Sequence, residues 1–442
     1  MTDSINVREI VLDMLLEVTR EQKPSHVVHR QMLEKYQYLE KQERSFLSRL
    51  FKGTLERLIT LDYVIGCFST VKPAKLKPVI KTILRLSFYQ LMYMPHVPAS
   101  AICNEAVRLA GKRGFKNLKG FVNGVLRNAA RSLNNVRWPD RRREPLLYLS
   151  VMYSAPEWLV KLWSESYGFS VAEKMLADSL CEKPVTVRCV HEDQVPQIRQ
   201  ILEAEGVTVT PGSLVNYALK LSGFDHLSGL KSFRDGLYTV QDESSMMVVE
   251  MAGLKAGDTV IDVCAAPGGK SCHAAGRLMA LAGPDGACGH VFARDLTAAK
   301  TRLIEQNRRR LGLTNLTVQV KDACIPDPED FGRAQVVFAD LPCSGLGVIG
   351  KKPDIKYRMD MEQIKALAAL QREILTAAQK AVAPGGTLIY STCTVNPAEN
   401  IENARWFAEN FDFVMEEERQ FIPGTDLCDG FFIARFTRRP KP

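Results

Sequence analysis

The sequence predicts a multidomain protein in which an all-α domain is followed by a small α+β unit and an α/β domain with a mostly parallel sheet. Apolar residues recur at helical spacing from residue 5 to about 135, and short apolar strands alternate with helices from about residue 245. The 442 residues also exceed one ordinary domain, and a content of 46% hydrophobic and 24% charged residues is typical of globular proteins.

The first predicted domain spans residues 1–140 and consists of helices. Its first helix carries one apolar stripe, since apolar residues recur there at i, i+3, i+4 and i+7. The stripe consists of Val7, Ile10, Val11, Met14, Leu15 and Val18. Further helical segments are predicted over 45–68, 76–93, 98–111 and 115–133. A basic, proline-containing stretch over 137–145 predicts the linker that ends this domain.

The second predicted domain spans residues 141–235 and mixes helices with short strands. Helices are expected over 155–180 and 194–205, and strands over 185–190, 207–210, 217–221 and 238–240. The third predicted domain spans residues 236–442. Its strands are expected over 259–263, 290–293, 316–320, 334–339 and 387–390, with helices between them that include 297–311 and 361–382. Repeated βαβ units imply a mostly parallel sheet that is covered on both faces.

The positive charge is concentrated near the N-terminus. The net charge is +8, and residues 51–150 hold 18 basic against 5 acidic side chains. This asymmetry favours an attached domain that binds nucleic acid, although a solvated set of helix faces would also explain it. The candidate phosphate contacts are Lys112, Arg113, Lys116, Lys119 and Arg127.

Several classes of protein are disfavoured by the composition. Eleven cysteines are scattered without a C-x-x-C pair, so neither a zinc ribbon nor a disulfide framework is expected, and no metal is predicted. No stretch approaches the length of an apolar membrane span, and residues 1–5 carry an early acid without a basic-then-apolar signal. We therefore expect a cytoplasmic protein without a membrane partner.

A turn over 262–270 is the first candidate binding site. It reads D-V-C-A-A-P-G-G-K, follows an apolar strand and precedes a helix. Small residues and glycines there allow a ligand to approach the backbone closely, although a purely structural turn is the alternative. The spacing matches neither G-x-G-x-x-G nor the phosphate-binding G-x-x-x-x-G-K-[ST] loop, which disfavours a dinucleotide or a nucleoside triphosphate.

Two further acids follow successive strands of the same predicted sheet. Asp295 closes the strand after Asp262 and is placed to hold the hydroxyls of a ribose. Asp322 follows the next strand and can reach an adenine edge. Each acid alone is more often a helix cap or a solvated loop residue. Together they predict a nucleoside site in the crevice at the carboxyl ends of the strands.

Two cysteines follow the last two predicted strands. Cys343 lies in D-L-P-C-S-G (340–345), and Cys393 lies in S-T-C-T (391–394). A lone cysteine at such a place is usually buried and inert. Two cysteines that face the same crevice indicate nucleophilic chemistry, because a thiolate is the most available nucleophile near neutral pH.

These three motifs together resemble the RNA cytosine-5 methyltransferases that use S-adenosylmethionine. Flanking segments resemble the same family, namely 240–245, 353–356, 396–400 and 429–432. Residues 121–127, F-V-N-G-V-L-R, resemble the last helix of a NusB-like RNA-binding domain. The fusion resembles the RsmB (Sun/Fmu) group, which methylates 16S ribosomal RNA. The resemblance implies a NusB-like domain, a connector similar to an RNA-recognition fold, and a Rossmann-like methyltransferase domain.

The resemblance also implies the roles of the catalytic residues. Cys393 is expected to add to the 6-carbon of the cytosine, since the 5-carbon does not attack a methyl sulfonium unaided. Cys343 is expected to assist release of the methylated product. Asp340 is expected to hydrogen-bond the cytosine edge and to belong to the cofactor crevice, with Lys270 supporting the same site.

The resemblance implies S-adenosylmethionine as the cofactor, with Asp295 on its ribose and Asp322 near its adenine. The rest of the cofactor site is the turn formed by Cys264, Ala265, Ala266, Pro267, Gly268, Gly269 and Lys270. The base must leave its stack to reach Cys393, so a flipped or single-stranded cytosine of 16S ribosomal RNA is the expected substrate.

Two positions depart from the family pattern. Gly350 stands where the family usually has a basic residue, and Arg294 stands beside Asp295 where a smaller or apolar residue is more common. Arg294 is expected either to touch the cofactor ribose or to point to solvent. A transfer-RNA cytosine-5 methyltransferase and a non-catalytic RNA-binding or antitermination factor remain alternative functions, and a monomer is expected.

Overall fold

The computed structural model describes residues 6–283 and 286–440, so the N-terminal residues used above for the targeting prediction lie outside the described residues. The chain forms two compact units. The helical unit comprises the chain up to Leu180 together with Ile349–Arg358, and the sheet unit comprises Cys181–Val348 and the chain from Met359 onward. The sequence-based boundaries at 140 and 235 stay predictions.

The part of the helical unit that the structure describes begins with ten helices, of which the first seven surround one apolar core. They are α1 (Val7–Thr19), α2 (Ser25–Lys35), α3 (Lys41–Glu56), α4 (Leu58–Phe68), α5 (Pro78–Tyr93), α6 (Ala99–Lys112), α7 (Lys119–Ser132), α8 (Pro145–Tyr153), α9 (Glu157–Tyr167) and α10 (Phe169–Asp178). Five of the six residues of the predicted stripe in α1 are buried, and the sixth, Val7, is half-buried against the same core. The amphipathic pattern is therefore confirmed.

The prediction of one continuous helix over 45–68 is wrong. Two helices, α3 and α4, meet at Arg57, whose backbone leaves the helical region. The Arg57 guanidinium lies over the ring of Tyr93, 4.4 Å from its centroid. Because both helices bury their apolar faces in the same core, hydrophobic periodicity runs through the break without revealing it.

Helices beyond residue 140 are part of the helical unit because they pair with α4. Thr60 Oγ1 donates to the Val151 carbonyl at 2.6 Å, and the Ile59 N–H donates to Ser154 Oγ at 2.9 Å. Tyr63 OH also donates to the Arg137 carbonyl at 2.6 Å, which fixes the basic linker stretch on the same helix. These bonds explain why the compact unit continues to Leu180.

A small antiparallel sheet opens the sheet unit. Its strands are β1 (Val185–Cys189), β2 (Thr208–Pro211), β3 (Ala218–Ser222) and β4 (Tyr238–Val240), in the order β2-β3-β1-β4. The accompanying helices are α11 (Val195–Ala204) and the short α12 (Lys231–Arg234). The strands and the helix predicted over 185–240 are confirmed to within one or two residues.

A seven-stranded sheet forms the rest of the sheet unit, in the order β10-β11-β9-β8-β5-β6-β7. Its strands are β5 (Thr259–Asp262), β6 (His290–Asp295), β7 (Leu316–Val320), β8 (Ala334–Asp340), β9 (Val382–Thr392), β10 (Phe413–Phe421) and β11 (Phe431–Arg438). Strands β5 to β9 pair in parallel, as predicted, whereas β11 and β10 pair antiparallel at one edge. These last two strands were not predicted; β10 carries four charged residues in a row (416–419).

Helices cover both faces of this sheet. They are α13 (Glu243–Ala252), α14 (Gly269–Ala282), α15 (Ala298–Arg310), α17 (Met361–Ala378) and α18 (Ile401–Asn410), while the short α16 (Ile355–Arg358) belongs to the helical unit. Two apolar clusters lie on the two sides of the strands. The carboxyl ends of β5, β6, β8 and β9 meet at one edge, which places the predicted site residues there.

The described residues contain neither a membrane-spanning helix nor a metal-binding cluster. No helix there combines the length and apolar character needed to cross a membrane. No group of three or more histidine, cysteine, aspartate or glutamate side chains in these ranges is arranged to hold a metal ion.

Candidate active site

The two predicted cysteines come together at the ends of neighbouring strands. Cys343 follows β8, Cys393 follows β9, and their sulfur atoms lie 3.3 Å apart. The parallel register pairs Asp340 with Ser391, and the Leu341 N–H donates to the Ser391 carbonyl at 3.0 Å. This pairing brings both loops to the same level of the sheet. Neither cysteine is part of a disulfide, and both are only half-buried, so a substrate can reach them.

The thiols of Cys343 and Cys393 share one hydrogen bond, and this bond changes the pKa of Cys343. The hydrogen bond to Cys393 and burial together raise the pKa of the Cys343 thiol well above its ordinary range. Cys343 therefore stays protonated near neutral pH. A protonated Cys343 can donate its S–H toward a Cys393 thiolate, so the arrangement favours a single thiolate in the pair.

A lysine and a carboxylate lie beside the cysteine loops. Lys270 Nζ contacts Asp340 Oδ2 at 2.6 Å, and Ser391 Oγ donates to Asp340 Oδ1 at 2.8 Å. Lys270 is buried, and its Nζ also lies over the Phe431 ring, 5.1 Å from the centroid. The structure thus brings together the two predicted residues Lys270 and Asp340. The two Asp340 side-chain oxygens each have one of these contacts and can accept a further hydrogen bond.

The turn over 262–270 is built for close approach to its backbone. Gly268 has φ +103°, and a Cβ there would meet Ile304 at 3.2 Å, so a larger residue is disfavoured. Asp262 is buried, and its Oδ2 accepts from Ser271 Oγ at 2.5 Å, while its Oδ1 has no hydrogen-bond partner. Burial raises the pKa of Asp262 to about 7. An unsatisfied buried oxygen beside this turn fits a bound polar ligand.

Asp295 connects the second strand end to the same turn. Its Oδ2 accepts from the Ala266 N–H at 3.0 Å, and its Oδ1 accepts from the Leu296 N–H at 2.8 Å. Lys300 Nζ lies 3.0 Å from Oδ1. Oδ2 accepts only one of these bonds and has a further lone pair, so Asp295 can still accept from a ligand hydroxyl.

The side chains of Asp322 and Arg294 have less direct connections to the turn. Asp322 is exposed and accepts from the Cys324 N–H at 2.9 Å, so its side chain stabilises the turn of its own loop. The Arg294 side chain does not point to solvent: its guanidinium makes a two-point contact with Asp330 at 2.5 and 2.8 Å and donates to Gln319. Its backbone carbonyl accepts from the Ala265 N–H of the turn at 2.7 Å. The expectation that Arg294 points to solvent is wrong, because the ion pair with Asp330 buries it, whereas its contact with the cofactor ribose stays a prediction.

Comparisons with known proteins agree with this geometry. The family described as 16S rRNA methyltransferase RsmB/F matches residues 249–437, and the NusB family matches residues 5–131. The probable ribosomal RNA small subunit methyltransferase B of Bacillus subtilis (strain 168) is 36% identical, with 98% of this chain and 99% of that protein aligned. Ribosomal RNA small subunit methyltransferase B of Vibrio cholerae is 30% identical, with 91% of each chain aligned.

The chain belongs to the ribosomal RNA small subunit methyltransferase B family. Among solved structures, PH0851 has a TM-score of 0.81 at 25% identity, covering 98% of this chain and 99% of that one. NSun6 from Pyrococcus horikoshii with SFG has a TM-score of 0.57 at 21% identity and shares the fold of 65% of this chain. The predicted fold class, with its NusB-like helical domain and Rossmann-like methyltransferase domain, is confirmed.

Members of this family are methyltransferases, and S-adenosylmethionine is the cofactor. The residues of this chain fit that molecule. The glycine turn admits it to the backbone, Asp295 has free lone pairs for hydroxyl groups, and Asp262 Oδ1 is buried without a partner. The turn also lies at the N-terminus of α14, next to Lys270 and hence to Asp340.

Glu399 is a functional candidate to which the sequence analysis assigned no role. Its side chain is 0% exposed and accepts four hydrogen bonds. The donors are Ser344 N at 2.8 Å, Ser344 Oγ at 2.5 Å, Asn396 Nδ2 at 3.0 Å and Gln371 Nε2 at 3.2 Å. The segment 396–400 was noted only as a family resemblance, and that motif was the available signal for Glu399.

The Glu399 network fixes both cysteine loops. Ser344, which follows Cys343, bonds Glu399 and also shares a hydrogen bond with Thr394 Oγ1 at 2.8 Å. Thr394 follows Cys393 directly. A buried carboxylate with four donors thus holds the residues next to the two sulfur atoms, and so holds the distance between them.

The predicted phosphate contacts in the helical unit divide into two groups. Lys112 and Arg113 make ion pairs with Glu9 at 2.6 and 3.2 Å, and Arg113 also pairs with Asp13 at 2.8 Å. Their charge is largely compensated within the chain. Lys116, Lys119 and Arg127 are exposed, and no carboxylate of the described ranges pairs with them.

Proposed function

We propose that this protein transfers a methyl group from S-adenosylmethionine to the 5-carbon of a cytosine in 16S ribosomal RNA through a covalent cysteine adduct. The observation that carries the proposal is the 3.3 Å separation of Cys343 Sγ and Cys393 Sγ beside the Lys270–Asp340 pair. The family membership supports small-subunit ribosomal RNA as the substrate. Transfer RNA has no specific observation in its favour.

Cys393 begins the reaction by adding to the 6-carbon of the base. Its thiolate forms the S–C6 bond, which turns the 5-carbon into an enamine-like nucleophile. Asp340 lies at the end of β8 next to the cysteine loops and accepts or donates a hydrogen bond at the 3-nitrogen edge, where charge develops. Lys270, 2.6 Å from Asp340, keeps that carboxyl group oriented.

S-adenosylmethionine supplies an electrophilic methyl group to the activated 5-carbon. Residues 264–270, Asp295, Asp322 and Asp340 are proposed to hold it, with Asp295 accepting from the ribose hydroxyls and Asp322 near the adenine. Asp322 has the least direct connection to the turn among these residues, because its exposed carboxylate accepts from the Cys324 N–H of its own loop.

Cys343 completes the reaction by removing the proton from the methylated 5-carbon. The largest cause of its raised pKa is the hydrogen bond to Cys393, followed by burial. Once Cys393 sulfur is bonded to C6, it no longer carries a thiolate charge, so the pKa of Cys343 falls toward the value that burial alone sets. Cys343 gives up its S–H proton to solvent, and the resulting thiolate takes the proton from the 5-carbon. The C5–C6 double bond then re-forms, the C6–S bond breaks, and Cys393 leaves as a thiolate.

The test is bisulfite sequencing of ribosomal RNA from cells with and without the gene. We expect one or more small-subunit cytosines to lose protection in the deleted strain and to regain it when the purified enzyme and S-adenosylmethionine are added. Assays on free small-subunit RNA, assembled subunits and bulk transfer RNA identify the substrate form. Methylation confined to transfer RNA would overturn the ribosomal assignment. Cytoplasmic location and a monomeric state stay predictions.

A further inference from the structure

The helical unit contains a cavity of about 400 Å³ where α1, α3, α4 and the start of α5 meet. Its floor is apolar and consists of Val18, Leu55, Leu58, Ile59, Leu76 and Pro78. Ligand pockets in proteins commonly have volumes of about 300–1,000 Å³ and mostly apolar walls with a few polar groups. The cavity thus has the size and lining for one flat ring system, and it is too small for a helix or a duplex.

One border of this cavity is a basic segment over 72–81, K-P-A-K-L-K-P-V-I-K, which has four lysines and no acidic residue. Lys72, Lys75 and Lys77 are exposed, and none of them pairs with a carboxylate of the described ranges. Arg20, which lines the cavity from the end of α1, is also exposed without such a pair. This contrasts with Lys112 and Arg113, whose charges are compensated by acids.

The cations inside the cavity are held in fixed positions. Arg85 contacts Asp62 through two bonds of 2.7 and 2.6 Å, and Lys81 pairs with the same carboxylate at 2.9 Å. Arg358 pairs with Asp354 at 3.1 Å. Asp62 and Asp354 thus compensate these three cations. The uncompensated positive charge at the cavity border belongs to Arg20, Lys72, Lys75 and Lys77. An apolar floor with a positive rim matches a base attached to a phosphate backbone.

We propose that this cavity binds one unpaired nucleotide of the RNA substrate, with the base on the apolar floor and neighbouring phosphates on Lys72, Lys75 and Lys77. The inference rests on the proposed function only in taking RNA as the substrate. A paired base cannot enter, because its faces and edges are covered by the duplex, so the site selects a single-stranded loop or bulge. The cavity makes the helical unit a reader of RNA shape in addition to a source of positive charge.

Two variants test separately the exposed lysines at the cavity border and the apolar floor of the cavity. Lys75→Ala/Lys77→Ala removes two exposed charges, and Ala74→Trp places a ring at the exposed border of the cavity without changing charge. Lys161→Ala is the matched control, since that exposed lysine is paired with Glu165 and lies away from the cavity lining. Filter binding with full-length enzyme and a small-subunit RNA transcript measures Kd across a range of salt. Ultraviolet crosslinking followed by peptide mapping locates the contact.

We expect the double lysine variant to weaken binding about tenfold and to reduce the salt slope by roughly 1, as expected when two phosphate contacts to a single strand are lost. Ala74→Trp should weaken binding about tenfold at an unchanged slope, and crosslinked peptides should include residues 72–85. Thermal unfolding of each variant must match the wild type, and Lys161→Ala must bind normally.

Wild-type affinity of Ala74→Trp, or crosslinks confined to other peptides, would overturn the nucleotide site. If the double lysine variant has a reduced salt slope while Ala74→Trp binds RNA normally, the lysines form only a charged RNA-binding surface. This result would also reject the cavity as a nucleotide site. Failure of the proposed function has a different signature: RNA binding would respond to the variants as expected while no cytosine is methylated. A protein occupant would show itself as RNA binding unaffected by both variants.

Discussion

The sulfur atoms of Cys343 and Cys393 lie 3.3 Å apart at the ends of two neighbouring parallel strands. Two thiolates at this distance would repel each other strongly, so only one of the pair ionises at a time. The two thiols therefore act in sequence. The second thiol can ionise and act as a base only after the first has formed its bond to carbon.

Replacing each cysteine should separate the two halves of the reaction. Cys393→Ala should abolish methylation and form no covalent RNA complex, because nothing attacks the 6-carbon. Cys343→Ala should also lose turnover, but attack and methyl transfer still occur, so a protein–RNA adduct should accumulate. Denaturing electrophoresis with labelled RNA measures the adduct.

The reverse pattern, with the adduct in the Cys393 variant, would exchange the two roles. Full activity without an adduct in both variants would reject covalent catalysis for this protein. Cys324→Ala serves as the control, since this thiol lies outside the motif loops and should leave both readouts unchanged.

Glu399→Gln should loosen the cysteine loops. The amide places a donor where the carboxylate accepts from Ser344, Asn396 and Gln371, so at least one buried donor loses its partner. We expect turnover to fall roughly 10- to 100-fold, as expected when reacting groups are displaced by about 1 Å. Cofactor affinity, measured by calorimetry, should stay near the wild-type value.

Disulfide formation provides an independent readout of the same geometry. Diamide removes the two thiol hydrogens of the pair, is itself reduced to the hydrazine, and leaves a Cys343–Cys393 disulfide that dithiothreitol reverses. We expect fast crosslinking and loss of activity in the wild type and slower crosslinking in Glu399→Gln. The exposed Glu402→Gln is the control. Equal rates in all three proteins would show that Glu399 does not set the sulfur positions.

Asp295→Ala should weaken S-adenosylmethionine binding by about 1–3 kcal/mol, because charge-assisted hydrogen bonds to the ligand are lost and the Ala266 N–H loses its acceptor. Isothermal titration calorimetry with the full chain measures the affinity. The exposed Glu329→Ala is the matched control. Unchanged affinity in Asp295→Ala would remove this carboxylate from the cofactor site.

Lys356 should make stability depend on pH. It is 2% exposed and donates to the Glu56 carbonyl at 2.9 Å, and burial lowers its pKa from 10.5 to about 7. Between these values the unfolded chain holds a proton that the folded chain has released, so raising the pH through this window stabilises the folded state. Below pH 7 both states are protonated and the contribution is constant.

The comparison variant is Lys356→Met, which keeps the length of the side chain without its charge. Relative to this variant, the free energy of unfolding of the wild type should rise by about 1 kcal/mol per pH unit between pH 7 and 10. Denaturant titrations at several pH values measure the difference, and the exposed Lys352→Met should follow the wild type. Parallel curves for wild type and Lys356→Met would show that Lys356 is not buried in solution.

The sequence by itself determined the strand ends that carry Asp262, Asp295, Asp340, Cys343 and Cys393. Short apolar strands that alternate with helices predict a parallel sheet, and the carboxyl ends of parallel strands converge on one edge. The residues placed directly after those strands therefore had to meet, whatever the details of packing. The antiparallel strands β10 and β11 were not predicted.

Only the tertiary structure decided which distant side chains pair. Glu399 bonds Ser344 across 55 residues, Arg294 bonds Asp330 across 36, and Lys356 bonds Glu56 across 300. Local periodicity reports which face of an element is buried, but it does not report what that face meets. The segment Ile349–Arg358 is the clearest case, because it follows the Cys343 loop in sequence and yet packs within the helical unit, where burial of Lys356 and its bond to a backbone carbonyl decide its place.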